Sequence, residues 1–216
     1  FNFYSERIYS MVFSLIVTVG PSILDKEKLN KINSFGNCIY RLNGAHVNGQ
    51  QTKEIAGTIR SFVPDAKIMI DLPGNKVRTR NLSESIRLSK GESFHLADYN
   101  LNYPEFGKHL KRGDIIHAND SIYTLEVDEV SSQGIKIISH SDGLLATNKG
   151  LHVQGIHEEI PFLFDLDQEL IETACEIDLE IISLSFVRSA EDIKLVKQIL
   201  KGQKKSSPTL FAKIET

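Results

Sequence analysis

The sequence predicts an α/β protein built from repeated βα units and interrupted once by a small antiparallel β module. Three observations carry this expectation. Continuous apolar, β-branched runs recur with amphipathic helical stretches between them. From about Thr79 to Gly155 that rhythm gives way to short alternating runs separated by Lys90-Gly91, Arg112-Gly113 and Asp142-Gly143 turns. Apolar runs also end in polar or charged residues, at Arg41-Leu42-Asn43, at Asp71 through Arg78, at Ser183 through Arg188, and at Lys213 with Glu215. Polar groups gathered at strand ends mark the site-bearing edge of a parallel sheet or barrel.

Phe13 to Val19 reads as a first strand buried on both faces and closed by Gly20-Pro21. Asp25 caps a helix with Leu29, Ile32 and Phe35 on its apolar face, and Gly36 ends it. Cys38 to Leu42 is the second strand. A helix carrying Ile55, Ile59 and Phe62 stops before Pro64 and leads to a third strand at Lys67 to Asp71. The β module holds runs such as Ser85 to Leu88, Ile122 to Val127 and Gly134 to Ser139. Asp165 then caps a helix with Leu166, Leu170, Ala174 and Ile177, followed by a strand at Glu180 to Ser185. Ser189 and Asp192 start a helix with Ile193, Val196 and Leu200, and Leu210 to Ile214 is the last strand. The result is five strands outside the module, which suits an open doubly wound sheet or a barrel. A closed eight-stranded barrel takes about 250 residues and the α/β part here has only about 140, so a barrel would need roughly three more βα units after Thr216.

A net charge of −3 over 216 residues provides no basic field for nucleic acid or an anionic membrane, which points to small-molecule partners. No apolar run reaches the roughly 18 to 20 residues of a membrane span, and Phe1 to Ser10 lacks the layout of a signal peptide. Cys38 and Cys175 have apolar neighbours and no ligand spacing, so they read as buried free thiols in a reducing cytoplasm. Residue 1 is a phenylalanine and Thr216 falls within an element, which suggests a fragment.

Arg41, Arg78, Lys149 and Lys213 are cations near strand ends or Gly turns, and Asp71 and Glu215 are carboxylates at strand ends. Lys213 and Glu215, two apart on an expected strand, should face the same way. Cations beside carboxylates suit a phosphorylated substrate held with a hard divalent metal, because phosphate needs donors and magnesium needs oxygen ligands. Taken singly, each is as well explained as a rim or capping charge. His46, in a loop, reads as a structural hydrogen-bonder, and His152 and His157 show no metal-ligand spacing. Lys201, Lys204 and Lys205 read as solvated surface.

From about Phe13 to Thr216 the chain resembles pyruvate kinase. The strings that carry the likeness, in the family's order, are Thr18-Val19-Gly20-Pro21, Arg41-Leu42-Asn43-Gly44-Ala45-His46, Asp71-Leu72-Pro73-Gly74-Asn75-Lys76-Val77-Arg78, Asn119-Asp120-Ser121, Lys149-Gly150-Leu151-His152, Ser185-Phe186-Val187-Arg188 and Ala212-Lys213-Ile214-Glu215. The resemblance implies a partial TIM barrel, about five of eight strands, interrupted by a small antiparallel β-barrel lid. Barrel segments at 1–78 and 156–216 would flank a lid at 79–155. It implies phosphoryl transfer from phosphoenolpyruvate to ADP, giving pyruvate and ATP in glycolysis, by a cytoplasmic, homo-oligomeric parent enzyme. Arg41 would hold the phosphate and Lys213 would bridge the phosphoryl group and the enolate. Arg78 and Lys149 would meet nucleotide phosphates, Asp120 would close from the lid toward Arg41, Ser185 would donate to phosphoryl oxygens, and Glu215 would bind Mg2+. Asn43 and Asp71 match monovalent-cation positions, where Ala45, Leu72 and Lys76 replace the usual residues. Lys76 would supply the charge that potassium otherwise brings, so K+ would not be required. Gly44, Val47, Asn75, Arg80, Ser121 and Gln154 also depart from the family, Arg80 placing bulk where a hinge glycine is usual. The family's second magnesium carboxylate segment is absent before Thr216, so the chain alone is expected to be inactive. The alternatives are a non-catalytic binding or regulatory module, and a lyase on a related phosphoenolpyruvate/pyruvate barrel, which the β module with Lys149 disfavours.

Overall fold

The computed structural model describes residues 14–203 and 207–215, without the His157 side chain. Phe13 and Thr216, which the expected first strand and last motif include, and Lys204 and Lys205 of the expected charge run lie outside the described residues. The chain divides into two compact units, one of residues 1–72, 169–184 and 193–213, the other of 73–168, 185–192 and 214–216.

The first unit holds a five-stranded parallel sheet. Its strands are β1 (Leu15–Thr18), β2 (Cys38–Asn43), β3 (Lys67–Asp71), β11 (Ile181–Leu184) and β12 (Thr209–Ala212), hydrogen-bonded in that order. Strand order follows chain order with no reversal, whereas a doubly wound sheet reverses at its switch point. The centre of the sheet is buried on both faces: Ile68, Ile70, Ile182 and Leu184 on one are 0% exposed, and Met69, Ile181 and Ser183 on the other are 3%, 6% and 3% exposed. β1 corrects an expectation, because it is an edge strand with Leu15 and Ile16 exposed. β12 is shorter than expected, so Lys213 and Glu215 lie past its end and strand alternation no longer relates them.

Helices α1 (Lys26–Asn33) and α2 (Gly49–Phe62) connect β1 to β2 and β2 to β3. Asp25 caps α1 by accepting the Lys28 N–H at 2.9 Å, as expected, while Phe35 falls beyond the helix and is exposed. α2 starts with a reciprocal box: Asn48 accepts the Gln51 N–H, and Gln51 accepts the Asn48 N–H. At its far end, Arg60 donates to the Ile177 carbonyl and to Glu180, whose other oxygen takes the Ile68 N–H. One guanidinium therefore sets α2, β3 and the strand start at Ile181 in common register. Cys38 and Cys175 are buried free thiols.

The second unit holds an antiparallel sheet in the order β10 (Leu151–His152), β6 (Ile115–Ala118), β7 (Tyr123–Ser131), β8 (Gly134–Ser139), β5 (Ser93–Leu96), plus a pair formed by β4 (Ile86–Leu88) and β9 (Gly143–Leu145). Its core includes Leu96, Phe106, Ile116, Leu125, Ile135 and Ile137, none of them exposed. Gly134 makes the β7–β8 turn possible, since φ is +124° and a Cβ would stand 2.3 Å from the Leu96 carbonyl oxygen. The incoming and outgoing chain segments are tied together: Thr79 N–H donates to Lys149 O, Asn148 N–H to Thr79 O, and Leu151 N–H to Val77 O. Arg80 does not need a glycine's freedom; its N–H bonds Asn100 O, and the positive φ falls on Asn81 instead.

Helix α3 (Asp165–Glu176) begins one residue earlier than its expected cap allows, and Asp167 rather than Asp165 accepts the Phe164 N–H. Helix α4 (Ala190–Lys201) is capped as expected, with Asp192 accepting the Arg188 and Ser189 N–H groups.

Candidate active site

In the first unit, parallel pairing places Asn43 directly beside Asp71 and brings Arg41 and Lys213 to the same carboxylate. Arg41 donates to Asp71 Oδ2 through Nε at 2.8 Å and Nη2 at 2.5 Å, and through Nη1 to Thr18 Oγ1 at 2.7 Å. Lys213 Nζ lies 3.0 Å from Asp71 Oδ1 and donates to Oδ2 at 3.2 Å. The Asp71 side chain is 5% exposed, whereas Arg41 and Lys213 keep 27% and 34% of theirs in water. A buried anion thus orients two cations that each retain an accessible side. Asp71 Oδ1 receives no hydrogen bond among the described residues and has the ammonium's charge alone. Asn43 is occupied locally, its Oδ1 accepting the Ala45 N–H at 3.2 Å in the turn at 44–46.

The remaining candidates belong to the second unit. Asp120 pairs with Lys76 at 3.0 Å. The Lys76 hydrogen bond is the main reason the Asp120 carboxyl sits below its ordinary range, and Arg78 and Lys149 add to it. Arg78 donates weakly to Asn148 O at 3.4 Å, and its buried Nε has no partner among the described residues. Burial lowers the guanidinium's proton affinity, and Asp120 acts against that. Lys149 is fixed through its backbone, its N–H donating to Thr79 Oγ1 at 2.8 Å. Lys76, Asp120, His117, His152, Arg188 and Glu215 line one cavity of about 440 Å³.

The loop after β3 gives Lys76 its place. Gly74 has φ +66° and its N–H donates to Asp167 Oδ1 at 2.9 Å. Ser185, past the end of β11 rather than in it, packs against this turn, so that a Cβ on Gly74 would meet its carbonyl oxygen at 3.0 Å. Burial pushes the Asp167 carboxyl up to about 6, against the pull of the backbone donors from Phe164 and Gly74. Glu215 Oε2 accepts the Phe186 N–H at 3.1 Å. Asp120 sits in a run of three left-handed residues, Asn119, Asp120 and Ser121, with φ between 52° and 68°. Sequence reasoning passed over Asp167 and His117 and gave Thr18 no role of its own. Asp167 has the local signature of a helix start, but nothing in the sequence reports which turn its second oxygen would meet.

Charge-paired cations with open faces, held at strand ends, can receive an anionic oxygen ligand. The family described as pyruvate kinase, barrel domain, matches residues 11–216. The pyruvate kinase of Thermococcus litoralis is 29% identical over 217 residues, covering 93% of this chain and 45% of the relative. That of Thermotoga maritima is 28% identical over 216 residues, covering 94% and 46%. The crystal structure of Cryptosporidium parvum pyruvate kinase superposes with a TM-score of 0.82 at 24% identity, over 94% of this chain and 47% of that one. The chain therefore spans about half the length of the relatives it matches.

Proposed function

Because this chain belongs to the pyruvate kinase barrel-domain family, we propose that a protein containing it transfers a phosphoryl group between phosphoenolpyruvate and ADP, and that this chain supplies much of the substrate-holding surface. The observation that carries the reading is the convergence of Arg41 and Lys213 on Asp71. Phosphoryl transfer is largely positioning and charge stabilisation, and two cations already aligned by a buried carboxylate need little reorganisation when a phosphate arrives. Arg41 would hold the phosphate, and Lys213 would stabilise charge on the phosphoryl and enolate oxygens. Arg78 and Lys149 would meet nucleotide phosphates, with Ser185 donating to a phosphoryl oxygen and Asp120 closing on the substrates.

Magnesium is commonly held by one or two carboxylates together with water and phosphate oxygens. Glu215, lining a cavity with cations, fits as one such carboxylate. Among the described residues no group of three His, Cys, Asp or Glu side chains is placed to hold a metal, so substrate oxygens would complete the shell. When bound, the ion neutralises charge on the phosphates. Potassium is not required in this reading: Asp71, at a monovalent-cation position beside Asn43, already carries two cations, and Lys76 adds a fixed ammonium. The strand order supports a partial TIM barrel of about five of eight strands with an inserted β lid, divided at 1–78, 79–155 and 156–216. The same reading makes the parent enzyme cytoplasmic and homo-oligomeric. Among the described residues no helix is long and apolar enough to cross a membrane.

Calorimetric titrations of the chain with phosphoenolpyruvate and with ADP plus Mg2+ test the proposal. Saturable binding of both is expected, and binding of neither would sink it. A protein that binds both yet shows no phosphoryl transfer when extended to the relatives' length would be the non-catalytic module instead.

A further inference from the structure

His117 and His152 have no part in the phosphoryl transfer proposed above, yet they face each other across β6 and β10. They are register partners in an antiparallel pair. Asn119 N–H donates to Gly150 O at 2.9 Å, while Leu151 N–H turns away to Val77 O at 2.8 Å. Rungs of an antiparallel ladder alternate, so the next hydrogen-bonded rung falls at His117 and His152, where Cα atoms stand about 5.5 Å apart. Directly opposed residues project from the same face, and both histidines line the same cavity of about 440 Å³. Two imidazoles on adjacent strands at this separation can turn their ring nitrogens toward one point.

Imidazole nitrogen is a common ligand of borderline transition cations. The Lys76 ammonium and the Arg188 guanidinium count against a cation here, but Asp120 matches the first at 3.0 Å and Asp192 the second at 3.1 Å, and Glu215 adds a carboxylate to the same cavity. Among the described residues no third His, Cys, Asp or Glu completes a closed site. Such a site keeps open positions, as catalytic rather than structural zinc sites do.

We propose that His117 and His152 form a two-imidazole clamp for a borderline transition cation such as Zn2+, its remaining positions open to water or an oxygen-bearing ligand. Nitrogen ligands distinguish it from the magnesium position assigned to Glu215, since magnesium takes oxygen. The inference stands on the β6–β10 register and does not depend on phosphoryl transfer.

Calorimetric titration of the whole chain with zinc chloride, and in parallel with magnesium chloride, tests it. One saturable zinc event is expected that magnesium does not reproduce. His117→Ala and His152→Ala should each weaken it about tenfold or more, while His140→Ala, just past the end of β8, should leave it unchanged. In the unsubstituted protein, the imidazole NMR signals of His117 and His152 should broaden first on adding Co2+, a readout that needs no variant to fold. The absence of saturable zinc binding, zinc binding undiminished when His117→Ala and His152→Ala are combined in one chain, or first broadening at other histidines would each overturn the proposal.

Discussion

The Lys213 ammonium stands 3.0 Å from Asp71 Oδ1 although 142 residues separate the two in sequence. Parallel pairing of β3 with β11 and of β11 with β12 brings the strand ends to one level, and the Lys213 N–H continues the ladder by bonding Leu184 O at 2.9 Å. With Arg41 on the same carboxylate, Asp71 becomes a buried anion shared by two half-exposed cations.

Asp71→Asn removes that anion and leaves the two cations facing each other. Loss of one partner from a fully buried pair costs 3–5 kcal/mol, and the water around Arg41 and Lys213 discounts this to about 2 kcal/mol. A lower urea midpoint with an unchanged slope is the expected outcome. Equal stability of the variant would show that Asp71 does not organise the cluster.

Asp167 links stability to pH. Its folded-state pKa of about 6 lies above the ordinary 3.8. The folded protein therefore holds the proton more tightly than the unfolded chain. This contribution is complete below about pH 4 and is lost as pH rises to about 6, to the extent of roughly 3 kcal/mol. Asp167→Asn should flatten the slope between pH 4 and 6 in urea melts. It should also be less stable than the protonated parent, because an amide NH2 must then face either Gly74 N–H or Phe164 N–H.

Ser121 holds φ +68° at the end of three left-handed residues. Glycine reaches this region without a Cβ clash, so Ser121→Gly is expected to stabilise the chain by about 1 kcal/mol. A thermal melt at pH 7 checks it, and a lowered melting temperature would mean that Ser121 makes contacts worth more than its strain.

Gly74→Ala should act the other way. A methyl group at φ +66° would be strained and would also meet Ser185 O at 3.0 Å and Ser185 Cβ at 3.1 Å, both part of a packed turn. A loss of about 2 kcal/mol in urea is expected, with faster amide exchange at Asn75 and Lys76.

The sequence could be read where its signals are short-range. The Asp25 cap, the Asp192 contacts at the start of α4, the stop before Pro64 and the glycine turns at 91 and 113 depend on residues within four of each other, and the structure has them, whereas Gly143, expected in a turn, opens β9. The alternation of βα units was legible because each element carries its own period. Burial of β1 was not, since being an edge strand depends on which strands lie beside it rather than on Leu15 or Ile16 themselves. The end of β12 at Ala212 was missed for a related reason: Ile214 continues the apolar pattern, but the pairing stops. At the site, polar groups at strand ends announced Arg41, Asp71 and Lys213, whereas the choice of Asp120 as the Lys76 partner rests on a backbone turn the sequence does not encode locally. The opposition of His117 and His152 is a matter of register, which only the folded ladder determines.

The central claim is that Arg41 and Lys213 together receive the phosphate of phosphoenolpyruvate. Titration of phosphoenolpyruvate into the chain and into Arg41→Ala and Lys213→Ala, with folding checked by circular dichroism, measures it most directly. The account predicts that each substitution weakens binding about thirtyfold or more, as loss of a desolvated charge contact does. Affinity unchanged in both folded variants would contradict it.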